Sequence, residues 1–184
     1  MNLKSLLKKT AENAILAYWD EIQTGGVNVG KWIWLLYEVI LQGISDHRWF
    51  YDERLAQNAI GFIERYCHHY KGKLAPRRIK LDLWERASIN LIFGIVDSRG
   101  RRQFTEVFWV IGRKQGKTLL AAAIAKYVWM KEGGFGAKVF NIAPKLAQAD
   151  IIYNNIWQMT LLDPEYQEMK EILSEKDEHN KKVN

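Results

Sequence analysis

The sequence predicts an α/β chain, with a helical N-terminal region followed by an incomplete parallel β/α core. Three observations carry this. Apolar residues in the first third recur at helical spacing. Two short apolar runs, 106–111 and 137–143, have the character of buried parallel strands. Each run is followed by a helix-patterned stretch, so the second half alternates strand, helix, strand, helix.

Taken in order, residues 3–23 place Leu3, Leu6, Leu7, Ala11, Ala14, Ile15 and Tyr18 at three-and-four spacing, which predicts a helix. The stretch TGGVNVG, 24–30, breaks it with three glycines. Residues 31–43, KWIWLLYEVILQG, are so apolar that a helix there is expected to be buried on most sides. Residues 52–70 open on an aspartate and continue with helical spacing. The tryptophans and tyrosines of this region are read as core. KGKLAPRRIKL, 71–81, is a basic, proline-containing linker, and 81–94 is a helix closed by Gly94. A turn is expected around Ser98-Arg99-Gly100, followed by the strand 106–111, a helix over 117–131, the strand 137–143 and a helix over 145–160. The predicted division is a helical region 1–73, a partial core 74–173 and a charged, disordered tail 174–184.

A chain of 184 residues, 48% hydrophobic, is long enough to bury a real core. Its net charge of +6 is unevenly spread: residues 71–118 hold 12 Lys/Arg against 4 Asp/Glu, while the last 22 residues hold 7 Asp/Glu against 4 Lys. A local basic excess points to phosphate-bearing partners, nucleotide or nucleic acid. Cys67 is the single cysteine, which excludes an intramolecular disulfide and a cysteine-based zinc site and makes a reducing cytoplasm the simplest setting. Cys67, His68 and His69 are sequence neighbours that would not face one point, so no metal is assigned to them. The N-terminus does not read as a signal peptide, and no stretch reaches the ~18 apolar residues that span a bilayer.

The stretch VFWVIGRKQGKTLLAAAIAKYVW, 107–129, carries the chemistry. It reads as an apolar strand, a polar turn ending in Gly-Lys-Thr, and an alanine-rich helix, which is how a phosphate loop (P-loop) is built. Gly116 lets the backbone approach phosphates, Lys117 reaches the β- and γ-phosphates, and the Thr118 hydroxyl suits Mg²⁺. The general pattern has glycine where this chain has Ile111; Gly112, one place later, offers part of the same freedom. Arg113 and Lys114 add two cations inside the loop, and an arginine there suits charge stabilisation during γ-phosphate cleavage.

Arg113-Lys114-Gln115-Gly116-Lys117-Thr118 resembles the deviant phosphate loop of tailed-bacteriophage terminase large subunits, which often lacks the first glycine. The lead-in FIERYCHHYKGKLAPRRIKLDLWERASINLIFG and the following AKVFNIAPKLAQADIIYNNIWQM are also similar to that family, most clearly to its HK97-like group, over roughly residues 60–160. The resemblance implies the N-terminal part of an ASCE-type P-loop ATPase domain. It implies ATP and Mg²⁺ as cofactors. As partners it implies double-stranded DNA, the portal, the small terminase subunit and further copies of the chain, with no membrane, in a bacterial host cell. It places Gly112, Arg113, Lys114, Gln115, Gly116, Lys117, Thr118 and Leu119 on the nucleotide, with Lys117 and Arg113 as the catalytic pair and Thr118 at the metal. Trp84 and Glu85 fall on its adenine-side motif, where the family usually has glutamine after the aromatic residue. No four-residue apolar strand followed by Asp-Glu comes after Thr118, where Glu132, Asp150, Asp163 and Glu165 are the first acids, and no nuclease carboxylate cluster is present. The expectation is therefore a nucleotide-binding portion of a packaging ATPase, inactive by itself. The alternatives are another P-loop DNA translocase or helicase-like ATPase, and a non-enzymatic assembly module built on residues 1–70. Lys71, Lys73, Arg77, Arg78, Lys80, Arg99, Arg101 and Arg102 are the basic residues open to DNA.

Overall fold

The computed structural model of the chain describes residues 13–134, 136–163 and 165–167. The charged tail from 174 and the first ten residues of the predicted 3–23 helix lie outside these residues. The chain divides into two compact units, one formed by Met1–Gly61 with Leu81–Val110, the other by Phe62–Lys80 with Ile111–Asn184.

The first unit is helical. Helix α1, Ala14–Thr24, starts at Asn13, whose side-chain oxygen accepts from the N–H groups of Ile15 (3.1 Å) and Leu16 (3.4 Å). It stops at Gly25, where φ is +78°, a left-handed conformation that costs glycine nothing. Helix α2, Lys31–Ser45, follows the glycine break. Its buried stripe of Tyr37, Ile40, Leu41 and Ile44 joins Ile15 and Ile22 of α1 in the core. Helix α3, Glu53–Tyr66, is opened by Asp52, which accepts from the Leu55 N–H at 3.1 Å; the division between units falls inside this helix. Helix α4, Leu83–Gly94, contributes Leu91 to the same core and runs directly into a strand.

That strand, β2, Ile95–Val96, pairs antiparallel with β1, Phe50–Tyr51, setting Phe50 against Val96 and Tyr51 against Ile95. The expected turn follows, with Gly100 at φ +73° and Asp97 accepting from the N–H groups of Arg99 (2.8 Å) and Arg101 (2.9 Å).

In the second unit, helix α5, Lys117–Tyr127, continues into a π-helical turn, Val128–Glu132, closed by a 2.8 Å bond from Gly133 N–H to the Val128 carbonyl. Helix α6, Leu146–Leu161, packs on α5. The basic segment after α3 is not a loose tether. His69 N–H donates to the Arg77 carbonyl (2.8 Å) and Ile79 N–H to the Cys67 carbonyl (2.9 Å), folding 71–80 back on itself. Cys67 is fully buried, and burial pushes its thiol up to about 12.

Two expectations differ from what forms. Helix α2 is buried on one stripe only: Trp32, Leu35, Leu36 and Val39 are exposed. The runs 106–111 and 137–143 adopt neither helix nor strand, and Phe108, Val110, Phe140 and Ile142 are 92, 83, 78 and 93% exposed. A parallel strand needs at least one hydrogen-bonded neighbour, and a buried one needs helices over both faces. Among the described residues the one sheet is the short antiparallel pair. The chain is thus mixed, mostly helix with a small sheet.

Candidate functional site

The Gly-Lys-Thr turn sits at the head of α5. Gly116 is its N-cap, at φ +72°, and Lys117 is its first residue. A side chain at position 116 would be strained in that conformation, which is the physical reason for glycine. Lys114 is also left-handed, at φ +66°. Alternating handedness in neighbouring residues turns successive N–H groups toward a common side, as anion-binding loops require. The first-turn N–H groups of α5 point out of the helix end, where the helix dipole favours negative charge.

Arg113, Lys114, Gln115, Gly116 and Lys117 are exposed, with Thr118 and Leu119 half-buried behind them. Three cations, Arg113, Lys114 and Lys117, thus crowd five positions in a turn that carries no acidic residue. The Lys117 ammonium folds back across the turn and donates to the Ile111 carbonyl at 3.1 Å. The position where the general pattern has glycine therefore contributes its backbone oxygen, which any residue supplies. Gly112 behaves differently from Gly116. Its φ is not left-handed, and a Cβ there would lie 3.8 Å from Gln115 Cγ, an ordinary contact.

Trp84 and Glu85 belong to the first unit, the loop to the second. The Glu85 carboxylate accepts from the Asp82 N–H at 2.9 Å, tying the first turn of α4. Burial raises its pKa, and that hydrogen bond opposes the rise. Trp84 lines a cavity of about 270 Å³ with Tyr18, Leu36, Tyr37, Phe104 and Phe108.

The acids after Thr118 divide clearly. Asp163 is buried, takes the Lys126 ammonium at 3.3 Å, and accepts from the Glu165 N–H at 3.1 Å. It is committed to that contact. Asp150 and Glu132 are exposed. Among the described residues no three His, Cys, Asp or Glu side chains converge as a metal site. The Lys126 contact was not anticipated from the sequence. Its signal is a lysine inside AAAIAKYVW, nine residues after Lys117, where the surrounding residues are apolar.

A family model, the ATPase domain of the terminase large subunit, matches residues 83–182, more than half of the chain. This chain belongs to the terminase large-subunit family. It carries a terminase-type ATPase domain, the domain of DNA-packaging ATPases, and nucleotide binding goes with that family. No curated protein and no solved structure matches the chain significantly. The match covers Trp84, Glu85, the whole Gly-Lys-Thr turn and α6 of this terminase chain. Among its described residues no helix is long and apolar enough to cross a membrane.

Proposed function

We propose that this terminase chain binds Mg-ATP through the turn Gly112–Leu119 and forms part of an HK97-like phage packaging motor. In that motor, hydrolysis drives double-stranded DNA in concert with the portal, the small subunit and further copies of the chain. The observation that carries the reading is Gly116 in the left-handed conformation at the head of α5, inside the stretch matched to the terminase ATPase domain. The residues present fit the ligand. Exposed N–H groups and three cations meet a triphosphate, Lys117 reaches its outer phosphates, and the Thr118 hydroxyl, second in α5, takes the metal. Arg113 stabilises charge on the γ-phosphate.

Hydrolysis also needs a carboxylate to orient water. Asp163 is held by Lys126 and is not proposed for that role, and no apolar run ending in Asp-Glu leads into Glu132 or Asp150; nucleotide binding without turnover is therefore what we propose for this chain. A Mg-ATP titration with hydrolysis followed in the same samples tests both parts. Binding that Lys117→Ala abolishes, with no turnover, is expected; equal affinity in that variant refutes the site.

DNA contact is proposed for Lys71, Lys73, Arg77, Arg78 and Lys80, all exposed on one ten-residue segment without an acid. Arg101 is less free, since it forms a two-pronged contact with Asp97 at 2.9 and 2.7 Å, and Arg102 lies 4.5 Å over the Phe93 ring. Affinity that falls steeply with salt is the expected signature, and a flat response counts against it.

A further inference from the structure

Helix α2 is apolar on two sides. One stripe, Tyr37, Ile40, Leu41 and Ile44, is buried in the core of the first unit. The other, Trp32, Leu35, Leu36 and Val39, repeats the same spacing five residues earlier. At 100° per residue that places it about 140° around the helix. These four side chains are 71, 47, 40 and 45% exposed. An exposed stripe of this kind on a water-facing helix marks an interaction surface.

The charges beside it indicate what covers it. Lys31 and Glu38 are exposed, seven residues apart, and so lie on one flank of the stripe two turns from each other. The Lys31 ammonium rests 4.9 Å over the Trp32 ring, at the start of the stripe. One cation at one end and one anion at the other make the flank self-complementary. If two such helices pair antiparallel about a two-fold axis near Leu35, Lys31 of each copy meets Glu38 of the other, twice. A nucleic acid or an anionic membrane surface would call for cations alone, and Glu38 works against both.

We infer that the exposed face of α2 is a two-fold dimer interface, in which Trp32, Leu35, Leu36 and Val39 pack on the same residues of a second copy and Lys31 pairs with Glu38 across the axis. Such an isologous contact closes on itself and does not propagate round a ring. It therefore belongs to a paired form of the chain, separate from any head-to-tail contact between motor subunits.

Sedimentation velocity on the full chain over roughly two decades of concentration reads this directly. Wild type is expected to dimerise, and Leu35→Asp to remain monomeric with an unchanged far-ultraviolet circular dichroism spectrum. Lys31→Glu and Glu38→Lys each turn two attractive pairs into repulsive ones and weaken dimerisation roughly tenfold. An equimolar mixture of the two single variants restores it, because the mixed dimer regains both opposite-charge pairs. That recovery separates paired faces from a variant that has merely lost its fold. A monomeric wild type, a dimer indifferent to Leu35→Asp, or a mixture no stronger than its components would overturn the inference.

Discussion

Removing Asp163 should unfold the second unit long before it affects any chemistry. Lys126 is fully buried, and its ammonium has three partners: the Tyr66 carbonyl at 2.9 Å, Asp163 Oδ2 at 3.3 Å and the Met159 carbonyl at 3.5 Å. Two of these are carbonyls near the C-terminal ends of α3 and α6, where helices present negative charge. At 3.3 Å the ion pair is worth about 5 kcal/mol with an effective dielectric near 20, most of it offset by the desolvation of both ions. The pair as a whole therefore adds little. Breaking it is another matter, because Asp163→Ala strands a buried ammonium at a cost of about 3–5 kcal/mol. That is a large share of the ~5–15 kcal/mol that holds a typical domain together. Lys126→Met should cost a similar amount by stranding the carboxylate, while Lys126→Met with Asp163→Leu recovers most of the loss. Urea titration followed by tryptophan fluorescence suits the test, since Trp129 and Trp157 lie in this unit. Losses below ~1 kcal/mol in both single variants, or a double variant as weak as their sum, would refute the reasoning.

Gly116→Ala should cost about 1–2 kcal/mol through its left-handed backbone and also weaken nucleotide binding, whereas Gly112→Ala should stay within ~0.5 kcal/mol; thermal melts and the Mg-ATP titration compare them. His68 and His69 are held below the ordinary histidine range, chiefly by burial, with Lys126 and Arg78 adding to the effect at His68. The unfolded chain takes up those protons near pH ~6.5 while the folded chain resists, so stability should fall as pH drops through that point, and His68→Asn should flatten the dependence of Tm on pH. Glu85→Ala should cost about 1 kcal/mol by leaving the Asp82 N–H without its acceptor, while Glu85→Gln, which keeps an oxygen there, should melt close to wild type.

Local chemistry was readable from the sequence. Asp52 marks the start of α3, the glycine break 24–30 ends α1, Gly94 ends α4, and the 145–160 pattern lies within one residue of Leu146–Leu161 at both ends. These features depend on neighbours within a turn. The Gly116-Lys117-Thr118 turn was readable for the same reason, since its left-handed glycine and helix start are set by a few residues. What escaped depends on distant partners. The pairing of Phe50–Tyr51 with Ile95–Val96 joins two-residue strands some 45 positions apart, too short to leave an alternating pattern. The runs at 106–111 and 137–143 show why apolar character is not enough: it specifies what a segment would bury, not whether a neighbour is present to bury it. Helix α2 makes the same point, since composition could not separate a stripe facing the core from one facing water.

In the proposed phosphate site, the bond from Lys117 to the Ile111 carbonyl makes the loop a competitor for its own lysine. Where a phosphate has to draw the ammonium off this carbonyl, every ~1.4 kcal/mol that the internal contact contributes would lower the apparent affinity tenfold. This competitor is tethered, so its local concentration never dilutes. It works in the other direction as well: when a phosphate leaves the proposed site, the lysine returns to the Ile111 carbonyl. On the proposed reading, the loop is suited to release as much as to capture.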